Sequence, residues 1–150
     1  MEPALTDAGA ASEQTDYVLD DQIGFILRVA SQRHAAIFAS RMPDGLTPTR
    51  FAALAKLHET GPLPQNELGR RTAMDVATIK GVVDRLRERG LVRTEPDPGD
   101  GRRIIVALTD EGVETIRSAV RTGFEITEET LAPLSEPDRA ALVRLLRKIC

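Results

Sequence analysis

Apolar side chains recur at helical spacing along most of the chain and switch to alternation once, between residues 91 and 108. Ile23, Ile26, Ala30, Ile37 and Met42, with Phe38 beside them, predict a first helix from near Asp20 to the turn signal Pro43-Asp44-Gly45. Thr47-Pro48 reads as an N-cap followed by a proline at the first helical position. Phe51, Leu54, Ala55 and Leu57 then form one face of a short second helix that Gly61-Pro62 stops. A third short helix fits Gln65 to Arg71, anchored by Leu68, and Thr72-Ala73-Met74 makes a tight turn. Asp75 caps a fourth helix with Val76, Ile79, Val83 and Leu86 on its inner face and Ala77, Gly81 and Glu88 on the outer one. Gly90 is its C-terminal stop.

Leu91 to Glu95 and Arg103 to Leu108 read as two strands joined by the loop Asp97-Pro98-Gly99-Asp100-Gly101. Thr109-Asp110-Glu111 opens a long helix reaching about Leu131, with acids where the helix dipole favours them. Ser135-Glu136-Pro137-Asp138 opens a last one carrying Leu142, Leu145, Leu146 and Ile149. The order is four helices, a strand, a turn, a strand and two helices. That is a mainly α chain with a small β-hairpin: a winged helix-turn-helix core flanked by N- and C-terminal helices that need a partner surface. The expected division is a flexible arm over 1–19, a helical dimerisation region over 20–46 and 110–150, and a winged helix-turn-helix over 47–109.

Charge changes the picture by its distribution. The net charge of −3 argues weakly against a polyanion partner. Yet residues 1–22 carry six acids and no Lys or Arg, whereas residues 70–103 carry nine basic side chains against six acidic ones. A basic face, rather than the total, sets affinity for phosphate. No apolar run approaches the roughly 20 residues of a membrane span, and no signal peptide is evident. The one cysteine, Cys150, excludes an intrachain disulfide framework and fits a reducing cytoplasm.

The chemistry of the central stretch follows. A helix that reads base edges must approach them closely, and Ala77 and Gly81 on the outer face permit this. A mid-helix glycine costs about 1 kcal/mol relative to alanine, so Gly81 is better explained by close approach than by stability. Thr78 and Lys80 reach base edges or phosphates, Arg85 reaches phosphate, and Arg70 and Arg71 suit backbone contacts that position without reading sequence. In Asp100-Gly101-Arg102-Arg103, a hairpin arginine is shaped for the enhanced negative potential of a narrow minor groove. Asp100, two residues before Arg102, is expected to orient its guanidinium.

Three pieces together resemble the MarR family of winged-helix transcriptional regulators: LTPTRFAALAKL, QNELGRRTAMDVATIKGVVDRLRERGLV and DPGDGRRIIVALTDEG. The resemblance covers about residues 20–149. It implies a two-fold dimer built through both chain ends, a palindromic DNA operator, and release by a small acid bound between the dimerisation and DNA-binding regions. It places the wing motif on Asp100 and Arg102 and base reading on Ala77, Thr78, Lys80 and Gly81. Two positions depart from the family's pattern. Gly101 stands where many relatives have a second arginine, and Pro64 where a Ser or Thr cap is usual.

GFILRVASQRHAAIF resembles the branch of the family that regulates breakdown of aromatic acids, implying an aromatic carboxylate or its thioester as effector. His34 falls on the apolar stripe; Arg28, Ser31 and His34 are the expected ligand contacts, and His58 is a further candidate for the same cleft, although its place near a helix end favours exposure. The bland reading of His34 is a hydrogen-bonded interface histidine. Rival classes fare worse. An enzyme would need a nucleophile–base pair, paired carboxylates or a metal cluster, and two histidines with a terminal cysteine supply none, so neither catalytic residues, cofactor nor metal is expected. The five aromatics, Tyr17, Phe25, Phe38, Phe51 and Phe124, are too scattered for an RNA-stacking platform. A winged-helix protein-interaction module would offer an apolar rather than a basic face. Thiol-based redox sensing would rest on Cys150 alone, since the first helix has no cysteine.

Overall fold

The computed structural model describes residues 16–150. The expected arm over 1–19 lies outside the described residues except for its last four positions. A single 3-10 turn, Leu19–Asp21, leads into α1 (Ile23–Arg41). There follow α2 (Pro48–Thr60), β1 (Leu63–Pro64), α3 (Gln65–Arg71), α4 (Val76–Glu88), β2 (Val92–Asp97), β3 (Asp100–Leu108), α5 (Asp110–Leu131) and α6 (Glu136–Arg147).

The helix starts are set locally, by caps visible in the sequence. The Thr47 hydroxyl accepts from the Arg50 amide, the Asp75 carboxylate from Thr78, the Thr109 hydroxyl from Gly112 and the Ser135 hydroxyl from Asp138, at 3.3, 2.7, 3.0 and 3.3 Å. Each satisfies a first-turn N–H that lacks an intrahelical partner. Gly90 adopts φ 73°, and the Leu91 amide then donates back to the Leu86 carbonyl, closing α4.

The sheet holds three antiparallel strands in the order β1-β3-β2. β2 and β3 form the hairpin, and the turn at its tip is shorter than the loop expected over 97–101, because Asp97 already pairs with Asp100. β1 was not expected. Leu63 pairs with Val106 and Pro64 with Ile105, tying the entrance of α3 to the inner part of the hairpin. Pro64, which lacks an N–H, is tolerated because β1 is an edge strand.

One core joins all parts. Leu54, Leu57, Leu68, Ile79, Val83, Leu86 and Val106 from the middle of the chain are continuous with Ile37 and Phe38 of α1 and Ile116, Ala119 and Ile126 of α5. Gly69 lets α3 and α4 meet: a Cβ there would lie 2.9 Å from Ile79 Cγ2. The inner face of α4 is Ile79, Val82, Val83 and Leu86. This corrects the expectation for Val76, which is 77% exposed. In the first turn of a helix that leaves the tight Thr72–Asp75 turn, no neighbouring element among the described residues covers it.

The first helix also departs from its pattern. Only Ile37, Phe38 and, just beyond the helix, Met42 are buried; Ile23, Ile26, Leu27 and Val29 are exposed. Phe124 of α5 and Leu142, Val143 and Leu145 of α6 are exposed as well. No helix is long and apolar enough to cross a membrane among the described residues.

Candidate nucleic-acid interface

The outer face of α4 is open. Ala77, Thr78, Lys80, Gly81 and Arg85 are all exposed, and a Cβ on Gly81 would meet nothing within 4 Å. Nothing among the described residues therefore demands glycine at that position. Val76 shares this opening, an apolar contact that sequence periodicity had assigned to the core. The signal that could have found it is its place at the first position after the Asp75 cap, where a helix presents side chains to whatever lies beyond its end.

The basic side chains divide into two groups. Arg70, Arg71, Lys80 and Arg85, on α3 and α4, are held by acids on the same helix. Arg70 and Arg71 both donate to the Glu67 carboxylate, at 2.6 and 2.7 Å. Lys80 pairs with Asp84 at 2.9 Å and Arg85 with Glu88 at 3.4 Å. The hydrogen bond from Arg70, reinforced by that from Arg71, holds the Glu67 carboxyl down to about 2, against an ordinary value of 4.5. The Lys80 hydrogen bond likewise lowers the pKa of Asp84. These i,i+3 and i,i+4 pairs were within reach of the sequence, since Glu67, Asp84 and Glu88 stand at helical spacing from their partners.

The wing forms the second group. Among the described residues, Arg102 and Arg103 enter no ion pair, and both are exposed. The expected contact between Asp100 and the Arg102 guanidinium is corrected. The Asp100 carboxylate instead accepts from the backbone N–H of Arg102 at 3.1 Å. A residue two positions away offers its amide within easy reach, and that contact shapes the turn while leaving the guanidinium projecting.

The expected ligand residues do not all meet. His34, Phe38, Pro48, Phe51, Gly123, Ile126 and Thr127 line a cleft of about 200 Å³ between α1, α2 and α5. Its aromatic wall is an edge-to-face pair, Phe38 and Phe51, with centroids 5.9 Å apart. Gly123 lies under Phe51, since a Cβ there would approach the ring's Cζ to 3.0 Å. His34 Nδ1 is 2.9 Å from the Thr130 hydroxyl. Beside it, Arg33 donates to the carbonyls of Thr130 and Glu129 at 2.6 and 3.0 Å, capping the end of α5. Ser31 and Arg28 are exposed on α1 and outside the cleft's lining. His58 is exposed, as its place near a helix end suggests, and lines a separate cleft with Arg93, Pro62 and Val113, so it does not join His34. It sits at the last turn of α2, which runs away from α1 toward the base of the hairpin.

Comparison with known proteins decides the lineage. Residues 44–103 match the MarR family. The chain is 40% identical over 150 residues to the transcriptional repressor NicR of Pseudomonas putida, covering 99% of this chain and 95% of NicR. The chain belongs to the MarR family. It is a winged-helix transcriptional regulator, and its fold is that of solved MarR-family structures. A probable transcriptional regulator from Pseudomonas aeruginosa superimposes with a TM-score of 0.87 at 53% identity, over 89% of this chain and all of the other. BpsR of Bordetella bronchiseptica, whose DNA binding is regulated by 6-hydroxynicotinic acid, superimposes with a TM-score of 0.83 at 36% identity, over 89% and 97% of the two chains. Within the MarR fold, the helix-turn-helix is α3 and α4, and the wing is the β2–β3 hairpin.

Proposed function

We propose that this MarR-family chain is a homodimeric repressor that binds a palindromic operator and leaves it when a monocyclic aromatic carboxylate enters the cleft at His34. The observation that carries the DNA reading is the pairing of an open helix face at Val76–Gly81 with two wing arginines that have no acidic partner among the described residues. Ala77, Thr78, Lys80 and Gly81 read bases, while Arg70, Arg71 and Arg85 exchange their helix acids for phosphates. Arg102 enters the minor groove, and Asp100 shapes the turn that presents it.

Residues 47–109 are the DNA-binding part, and 20–46 with 110–150 the dimerisation part. Among the described residues most of the exposed large apolar side chains lie on the latter, with Val76 of α4 and Ile104 of β3 the exceptions, so a protein partner is expected on the terminal helices. A second copy of the chain fits this arrangement, and a two-fold dimer asks for half-sites about one helical turn apart.

The effector reading follows from the cleft's size and lining. At about 200 Å³ it falls below the roughly 300–1,000 Å³ typical of drug-sized ligands, which favours a single ring over a bulky thioester. The Phe38–Phe51 wall suits an aromatic face, and His34 offers the ring's polar substituent a hydrogen bond. Regulation of BpsR by 6-hydroxynicotinic acid supports the same class of effector.

A mobility-shift titration with the DNA upstream of the chain's own gene, repeated with monocyclic aromatic acids and their thioesters, tests this. Binding released by an acid supports the proposal. Release by thioesters alone, or by neither, overturns the effector reading, and failure to bind any duplex overturns the whole.

A further inference from the structure

The unexpected strand β1 has a consequence for the wing. Its two residues pair with Ile105 and Val106, and α3 begins at the next position. The start of α3 is thereby held against the part of β3 that leads to the wing. Gln65 and Asn66 from α3, with Arg102, Arg103 and Ile104 from β3, line one notch of about 210 Å³.

The donor set of this notch is one-sided. It has two guanidiniums, two carboxamides and no carboxylate in its lining. The carbonyl oxygen of the Asn66 side chain already accepts from the Glu67 amide at 3.0 Å, which leaves its NH₂ as the free end. Glu67, the nearest acid in sequence, is occupied by Arg70 and Arg71 at the other end of α3. The nearby Asp100 carboxylate is turned to the Arg102 backbone N–H, outside the lining. The notch therefore gathers N–H donors around Arg103, whose guanidinium has no acidic partner among the described residues. That suits a tetrahedral oxyanion, which guanidiniums grip through paired hydrogen bonds.

We propose that the notch is a phosphate site whose occupant is a DNA backbone phosphate beside the minor groove that the wing enters, and that Gln65 and Asn66 are contacts of that phosphate. The proposal rests on the DNA-binding reading. Because the site is shared between α3 and the wing, one phosphate ties the hairpin to α3, which packs on α4 at Gly69. Gln65 and Asn66 position the protein without reading sequence. Being neutral, they add affinity without releasing counterions, whereas Arg103 contributes about 0.9 to the slope of log K against log salt.

The test is fluorescence anisotropy on the full chain with its operator and with an unrelated duplex, over a salt series. A Gln65→Ala/Asn66→Ala variant should lose roughly tenfold in affinity for both duplexes, as two neutral hydrogen bonds predict, with the salt slope unchanged. Arg103→Gln should lower that slope by about 0.9. Gln65→Glu, isosteric and carrying a repelling charge, should weaken binding at least as much as the double variant while melting like the wild type. In operators with single neutral methylphosphonate linkages, one linkage should weaken the wild type and leave the double variant unaffected. Unchanged binding by the double variant and by Gln65→Glu, with Arg102→Ala still impaired, overturns the notch and leaves the DNA reading standing. Failure of the wild type to bind any duplex overturns both. Saturable binding of inorganic phosphate to the DNA-free protein at sub-millimolar concentration, lost in Arg103→Gln, would make the notch a free-anion receptor and overturn the DNA assignment.

Discussion

At the scale of single residues, side chains that look alike in the sequence have different duties. Lys80 and Arg85 spend the free state paired with acids one turn away, whereas Arg102 does not. Removing Lys80 or Arg85 also frees an acid on the DNA face, so its cost mixes a lost contact with a gained repulsion. Arg102→Ala is the cleaner variant. Its operator affinity should fall at least tenfold in a mobility-shift titration, with the sedimentation coefficient unchanged; equal affinity would remove the wing from the interface. In the proposed complex the exposed Val76 side chain meets a thymine methyl. Val76→Ser should then lose about 1 kcal/mol, on the scale of one buried methyl group, and replacing operator thymines by uracil should weaken the wild type but not this variant. Glu67 gives a pH prediction. Its folded pKa is depressed to about 2 from 4.5, so its stabilising contribution is complete above about pH 4.5 and fades as pH falls toward 2. Glu67→Gln should flatten the acid limb of the stability curve in that window, read by circular dichroism at fixed denaturant.

At the scale of elements, packing decides what each helix can transmit. α2 carries Phe51 into the cleft at His34 on one side and Leu54 and Leu57 into the core beside α4 on the other. α5 supplies Gly123 as the seat of the Phe51 ring. Gly123→Ala would place a methyl 3.0 Å from Phe51 Cζ, narrowing a cleft that already suits only one ring. The acid concentration needed to release DNA should rise at least tenfold, measured by titrating effector into the operator complex; an unaltered midpoint would place the effector elsewhere. The contact between α3 and α4 is equally tight at Gly69.

At the scale of the whole molecule, the exposed apolar residues of α1, α5 and α6 are the unfinished part of the fold. Ile23 of α1, Phe124 of α5 and Leu145 of α6 are 62%, 71% and 51% exposed, and large apolar surfaces left open on a fold mark interaction sites. A second copy covers them in the proposed dimer. Ile26→Asp combined with Val29→Asp should yield a monomer by analytical ultracentrifugation. The loss of one half-site contact should weaken operator binding by at least a hundredfold. A dimer that survives the double substitution would move the interface off α1.

The sequence determined by itself what depends on near neighbours. Thr47, Asp75, Thr109 and Ser135 cap four helices because a cap acts within three residues, and the alternation of strand residues around a Gly-rich turn marks the hairpin for the same reason. The residues of the open α4 face and the wing were legible because helical and strand periods fix which side a residue takes. What only the tertiary structure decided depends on contacts remote in sequence. Val76 leaves the core because no element covers the first turn of α4. Half the stripe of α1 stays exposed because α5 reaches only its far end. His58 separates from His34 because α2 carries it away from α1. β1, two residues long, has no period to read and exists only because β3 lies beside it. Through that strand the notch at Gln65, Asn66, Arg102 and Arg103 joins residues nearly forty positions apart, a proximity that no local rule contains.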